Sequence, residues 1–261
     1  MSAVILPKGD RVYSPNATVA TWVATYLTSS VGQKAVVAVT GLGMTGFLLG
    51  HLAGNLKMFG GRDSINAYAH FLKHDLGVFI WVARAGLLGL FLTHVTLTVR
   101  LRLRANAARP VRYTVSRVAQ ATLASRIMLL TGLTVGAFTL FHLAHYTFGL
   151  VHYAVLDDGR QLNYLELVDE KQRHDVYSMV VAGFRTWWIS ALYIAAQLIL
   201  FLHLSHGIQS SLQTLGLVGR RFTQAAVALG YALAVTIVGG NIAIVVAVWT
   251  GFVPAVTRVV A

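Results

Sequence analysis

Charged residues divide this chain into long apolar runs. None occurs in residues 35–56, 127–156, 186–219 or 222–257, and residues 76–99 carry only Arg84. A helix needs about 20 apolar residues to cross the hydrocarbon layer of a bilayer. The pattern therefore predicts five membrane-spanning helices, over residues 34–57, 78–99, 125–153, 185–214 and 223–250. The four prolines, Pro7, Pro15, Pro110 and Pro254, fall outside these spans. Gly41, Gly43 and Gly46 in the first span suit close helix approach in lipid. Ahead of it, residues 17–30, with Trp22 and Tyr26, read as a helix lying in the membrane interface. The leader is polar and has no compact hydrophobic region, so a secretory signal is not expected. The expected fold is all-α: an integral membrane bundle over residues 35–253, with a leader, 1–34, and an outer tail, 254–261.

Composition sharpens this picture. Hydrophobic residues make up 56% of the chain and charged residues 11%, against about 25% charged in an ordinary soluble domain. That excludes a soluble globular enzyme. The net charge of +12 would suit nucleic acid, but seven of the 21 Lys and Arg lie in residues 100–126, beside a span and without an acid. A basic loop of this kind sets orientation in a membrane and can touch anionic lipid heads. No nucleic-acid motif accompanies it. With the N-terminus inside, the inner segments hold twelve Lys and Arg and one acid, Asp10. The other eight acids lie outside, six of them in residues 157–175. The expected orientation is N-terminus cytoplasmic, C-terminus outside. Cysteine is absent, which excludes disulfides, Cys-ligated zinc, iron–sulfur clusters and covalently attached haem.

The histidines within the spans are the most informative residues. His51, His94, His142, His145, His203 and His206 sit among apolar neighbours on four different helices. Ionisable groups at membrane depth are costly and face the bundle interior for a reason. At 1.5 Å per residue, His51 is about 24 Å from the inner start of its span, and His94 only about 8 Å from the inner end of its own. The residues sort into an outer pair, His51 with His142, and an inner pair, His94 with His203. Low-spin haem needs two imidazoles on opposing helices, each oriented through its other nitrogen. Small residues nearby (Gly50, Ala53, Gly54, Ala144, Ser205) leave room for a flat macrocycle. Without cysteine, such haem is non-covalent and b-type. A di-iron site needs its histidines at one level, a proton pump commonly needs carboxylates in its helices, and a serine protease lacks its G-x-S-x-G setting. Histidines merely hydrogen-bonded between helices in a structural anchor are the bland alternative.

Several stretches together resemble a known family: GHLAGNLKMFGG from Gly50, NAYAHFL from Asn66, the His94 segment running into ARPVRY, TGLTVGAFTLFH ending at His142, FHLAH, and LHLSHGIQSSLQTLG from Leu202. In order and spacing they resemble the dihaem cytochrome b anchor subunit of succinate:quinone oxidoreductases, the succinate dehydrogenases and fumarate reductases. The resemblance covers essentially the whole chain. It implies ligand pairs His51 with His142 and His94 with His203. His145 and His206, three residues further on, remain the alternative ligands; spacing from Thr131 and Gly132 favours His142, and spacing to Gly207 and Gly216 favours His203. It also implies two b haems, a flavoprotein and an iron–sulfur subunit docked on the cytoplasmic face of the cell membrane, and electron exchange with quinone, menaquinone being expected. A haem b subunit of a formate dehydrogenase or hydrogenase, and a haem-free anchor, are the alternatives.

Two more sets of residues complete the expectation. Haem propionates want cationic partners near the interface; Lys34 and Arg126 stand at the inner level, Arg84 and Arg185 at the outer. Two haems at different depths are useful when electrons cross the membrane, so a quinone site is expected near the outer haem, served by His74, Asp75 and His145. An inner site using Ser205, His206 or Gln209 is the rival.

Overall fold

A computed structural model describes residues 18–108, 123–155 and 159–255. The first half of the expected leader, the basic stretch with Arg109, Arg112 and Arg117, the acids Asp157 and Asp158, and most of the expected tail lie outside the described residues. The end of the bundle where the first span begins is termed the inner end, and the opposite end the outer.

Among the described residues the protein is nearly all helix, and five helices are long and apolar enough to cross a membrane. Helix α1 (Val19–Thr28) starts on a cap in which the Thr18 hydroxyl accepts from the Thr21 N–H, and buries no residue. Trp22 and Tyr26 stack on it with centroids 5.8 Å apart, the amphipathic rings expected of an interfacial element. The chain turns at Ser29, which caps α2 (Ser30–Asn55). Gly32 sits against the backbone of Tyr26 and Leu27 at this corner, where any side chain would collide.

After α2 a tight turn leads to α3 (Gly61–His70), then to α4 (Val78–Ala107). The fourth helix runs well past the predicted end at residue 99. Arg100, Arg102 and Arg104 alternate with leucines, good helix formers throughout, so the helix continues out of the apolar layer. Arg104 is tied back there to the Gln33 side chain of α2 at 3.3 Å. A single turn, α5 (Leu123–Arg126), precedes α6 (Met128–His142). This third span ends earlier than the predicted residue 153. A widened turn over residues 143–147 and Gly149 in the left-handed region (φ 64°) redirect the chain into a hairpin of β1 (Tyr153–Val155) and β2 (Gln161–Asn163), paired antiparallel with Ala154 opposite Leu162. Helix α7 (Val176–Arg185) breaks at Thr186 before α8 (Trp187–Thr214), and α9 (Thr223–Trp249) completes the bundle.

The spans α2, α4, α6 and α8 surround one another, with α9 packed along α8 and reaching α2. In lipid this association rests on close packing more than on apolar burial. Glycines supply the closeness: a Cβ on Gly240 would lie 2.7 Å from Leu52, and one on Gly230 3.1 Å from the Ser205 carbonyl. Leu200, Leu204 and Ile208 of α8 meet Ala234, Ile237 and Val238 of α9 in the seam. Helix α4 is the exception, with no buried residue.

The outer end is closed by a polar plate. Asp175 caps α7 by accepting from the Ser178 N–H, and takes Arg62 Nη2 at 2.6 Å and Asn66 Nδ2 at 3.1 Å from α3. Asp169 accepts from Arg173 at 2.6 Å and from Asn66 at 3.2 Å. Burial pushes both carboxyls up, but the hydrogen bonds together, from Arg173, Asn66 and the Lys171 N–H on Asp169 and from Arg62, Ser178 and Asn66 on Asp175, outweigh it and hold both below the usual carboxylate range.

Candidate functional site

The inner histidines are seated in the same way twice. His94 of α4 faces one turn of α2: its Nδ1 lies 3.1 Å from the Val37 carbonyl and 3.2 Å from the Thr40 hydroxyl. His203 of α8 faces one turn of α6, with Nδ1 3.2 Å from the Thr131 hydroxyl. The residue after the threonine is glycine in both cases. A Cβ on Gly41 would lie 3.1 Å from His94 Cε1, and one on Gly132 3.0 Å from His203 Cε1. Each ring therefore packs closely against a glycine, where a Cβ would press it aside by a few tenths of an ångström. His94 and His203 each lie past the midpoint of their helix toward the inner end, so both seats belong to the inner half of the bundle.

The proton positions follow from the hydroxyls. Thr40 donates its single proton to the Val36 carbonyl at 2.8 Å, and Thr131 donates its own to the Met128 carbonyl at 3.0 Å. Both hydroxyls can then only accept from the rings, and a carbonyl can only accept. Nδ1 carries the proton in His94 and in His203, and Nε2 is left as a lone pair. Metal-binding histidines are prepared in this way.

The outer pair is built differently. His51, four residues before the end of α2, and His142, the last residue of α6, approach with ring centroids 5.8 Å apart and planes at 89°. Two metal–nitrogen bonds of about 2 Å, plus the ring radii, set imidazole centroids about 6 Å apart across one metal. Phe47 stacks on His51 at 5.5 Å, and His142 Nδ1 meets the Tyr193 hydroxyl at 3.2 Å. Along α2, Thr40 and His51 are eleven residues apart, so the two levels are separated by about 16 Å.

Four exposed glycines lie between the two histidine levels along α2 and α4. A Cβ on Gly46, Gly50, Gly86 or Gly89 would meet no atom within 4 Å. Gly54, expected to leave room for a macrocycle, is instead filled by Tyr68, 2.6 Å from where its Cβ would be. Among the described residues three buried polar atoms have no partner: Thr98 Oγ1, one turn from His94; Gln197 Oε1, on α8 between Tyr193 and His203; and the Tyr146 hydroxyl. They border the histidines and await a hydrogen-bonding group. The donor set, with two bare imidazole nitrogens at the inner level and an opposed pair at the outer, fits a bis-histidine metal macrocycle.

The remaining expected residues are scattered. Lys34 lines a cavity of about 280 Å³ at the inner end with Val37, Ala38, Ser210, Ser211 and Thr214. Arg126 and Arg185 are exposed at helix ends. Arg84 is exposed, its guanidinium 4.8 Å from the centroid of Trp81. His74 stacks on His70 at 4.3 Å and Asp75 is exposed; among the described residues neither makes a hydrogen bond or ring contact with the outer pair. Ser205 is buried and donates to the Leu202 carbonyl, while His206 and Gln209 are half-buried. His145 is fully buried with both ring nitrogens engaged, by Tyr193 at 2.9 Å and by His152 at 2.8 Å.

Sequence reasoning missed Thr40, Tyr193 and His152. A signal for the first existed: T-G-L followed after eight residues by His occurs at Thr40–His51 and again at Thr131–His142. The bundle core is thus two similar helix pairs, α2 with α4 and α6 with α8, each pair seating one inner histidine and supplying one outer histidine. No such signal marks Tyr193. Comparison with known protein families, curated proteins and solved structures finds no match for this chain.

Proposed function

We propose that this chain is the dihaem cytochrome b anchor of a succinate:quinone oxidoreductase, N-terminus cytoplasmic in the cell membrane. It holds two b haems, one on His94 and His203 and one on His51 and His142. Flavoprotein and iron–sulfur subunits dock at the inner face, and the chain exchanges electrons with membrane quinone. The observation that carries this reading is the pair of matching seats that fix Nδ1 of His94 and His203 and leave each Nε2 bare in the inner half of the bundle. When bound, haem supplies a one-electron store at each depth. The protein's share is to present neutral imidazoles in fixed tautomers, to exclude water with an apolar bundle, and to keep the two levels apart. Lys34, with the hydroxyls of Ser210, Ser211 and Thr214, offers cationic and hydroxyl partners for inner-haem carboxylates. Arg126, Arg84 and Arg185 are proposed partners for the remaining propionates. Menaquinone is the proposed quinone, at an outer site near His74, Asp75 and His145.

The test is a reduced-minus-oxidised spectrum of the protein purified from membranes with its partners. Two b-type components that co-purify with a flavoprotein and an iron–sulfur subunit are expected. A molybdenum or hydrogenase subunit in their place would move the chain to another respiratory enzyme. Absence of haem would leave a plain anchor.

A further inference from the structure

The outer pair is attached to a chain of side chains of which the proposed roles use only His145. His142 Nδ1 lies 3.2 Å from the Tyr193 hydroxyl, which lies 2.9 Å from His145 Nδ1. His145 Nε2 lies 2.8 Å from His152 Nδ1, and His152 Nε2 lies 3.2 Å from the Met179 carbonyl. The chain joins α6, α8, the loop before β1, and α7. Resting on the dihaem reading, we propose that Tyr193, His145 and His152 are positioning residues for the outer haem, holding His142 as a ligand from the Met179 carbonyl.

The direction of the chain follows from its last member. A carbonyl only accepts, so neutral His152 carries its proton on Nε2 and accepts at Nδ1. His145 must then donate from Nε2 and accept at Nδ1. Tyr193 spends its one proton on His145, so its oxygen can only accept from His142. That places the His142 proton on Nδ1 and bares Nε2, the same state reached at the inner level by a different route. His145, with both nitrogens committed, is excluded as a ligand. The rings are held in place: Tyr193 lies against Phe138 at 5.0 Å and Phe184 at 5.2 Å, His145 stacks on Tyr146 at 3.9 Å, and His152 lies 4.6 Å from Tyr164. Gly183 of α7 makes room, since a Cβ there would lie 3.2 Å from His145 Nε2.

A hydrogen bond accepted from Nδ1–H makes an imidazole a stronger donor to metal, so it favours the oxidised iron and lowers the reduction potential. Tyr193→Phe keeps the ring and removes that acceptor. In the intact complex it should retain both haems and raise the midpoint potential of one of them, leaving the other unchanged. His152→Ala should shift the same haem in the same direction by less, and His145→Ala should also keep both haems. Redox titration followed spectroscopically, with haem content measured on the same samples, reads all of these, and the unmoved inner haem reports that the bundle is folded. Loss of a haem in His145→Ala, or a Tyr193→Phe protein in which neither potential moves or both move equally, would overturn this assignment while leaving the dihaem reading intact. A wild-type protein without b haem would overturn both.

Discussion

The inner histidines and His142 of the outer pair reach the same chemical state by different means. Each inner ring is held by a threonine hydroxyl and a glycine within a single turn of a neighbouring span, and His94 by the Val37 carbonyl as well. Its geometry needs two helices side by side and nothing else. The outer pair sits at helix ends, and His142 is held by a hydroxyl on α8 whose own proton is directed by residues from the loop and α7. The inner site is local, whereas the outer site depends on elements that form only when the outer end is assembled. On the dihaem proposal, the outer haem should therefore be lost separately from the inner one, and the reverse should be difficult.

The largest effect is expected from crowding an inner ring. Leucine at Gly41 or Gly132 cannot be placed without moving His94 or His203, because even a Cβ would stand about 3 Å from the ring. Gly41→Leu or Gly132→Leu should each remove one haem, the same one, with the other kept. If the two variants depleted different haems, the shared inner level would be wrong. A smaller but still large effect is expected at the outer plate. Asp175→Ala strips the cap of α7 and leaves Arg62 and Asn66 without their partner. Breaking a buried charged pair costs about 3–5 kcal/mol, and the loss should appear as lower thermal stability with selective depletion of the outer haem. Equal depletion of both would mean that the outer plate supports the whole bundle.

Much of this was legible in the chain. Five charge-poor runs became five spans because in a bilayer hydropathy and backbone satisfaction alone select long helices. The opposed histidines were legible in part, since depth along a helix is simple arithmetic once orientation is assumed. The ends of spans were not. Residues 100–107 are charged yet remain helical, because arginine and leucine favour helix in water as well as in lipid. Residues 143–153 are uncharged yet leave the helix at Gly149, where the backbone turns left-handed. Tyr193 lay beyond sequence reasoning because its role comes from long-range contact between α8, α6 and α7. The orphaned Thr98 and Gln197 show the same limit, since one residue's neighbours across a bundle leave no local trace.

Acid should separate the pairs by a further, smaller step. Asp169 and Asp175 are held below their ordinary range in the folded protein. Their contribution is therefore fully present above the unfolded carboxylate pKa of about 4, and is lost as pH falls through the lower folded values. The inner seats use carbonyls and hydroxyls, which do not titrate there. In acid titration of detergent-purified protein, Asp175→Asn should lose the outer signal at a higher pH than wild type, with the inner signal following the same course in both. Identical acid profiles for the outer signal would remove the plate from the account.

The smallest effect tests whether the two inner seats are equivalent. Thr40→Val and Thr131→Val keep the shape of the side chain and remove the hydroxyl that accepts from Nδ1. A hydrogen bond between membrane helices contributes about 0.6 kcal/mol on average, so neither variant should lose haem. What should change is the reduction potential of the inner haem, upward, because a ring that loses the acceptor of its Nδ1–H is a weaker donor to oxidised iron. The Thr40→Val shift should be the smaller of the two, because His94 Nδ1 keeps the Val37 carbonyl at 3.1 Å as a second acceptor. The Thr131 hydroxyl holds His203 Nδ1 at the same 3.2 Å without a carbonyl hydrogen bond beside it among the described residues, so its loss is less well covered. Redox titration of both variants and of the double variant decides it. A double shift close to the sum would place both seats on one haem, and shifts confined to different haems would divide the inner pair.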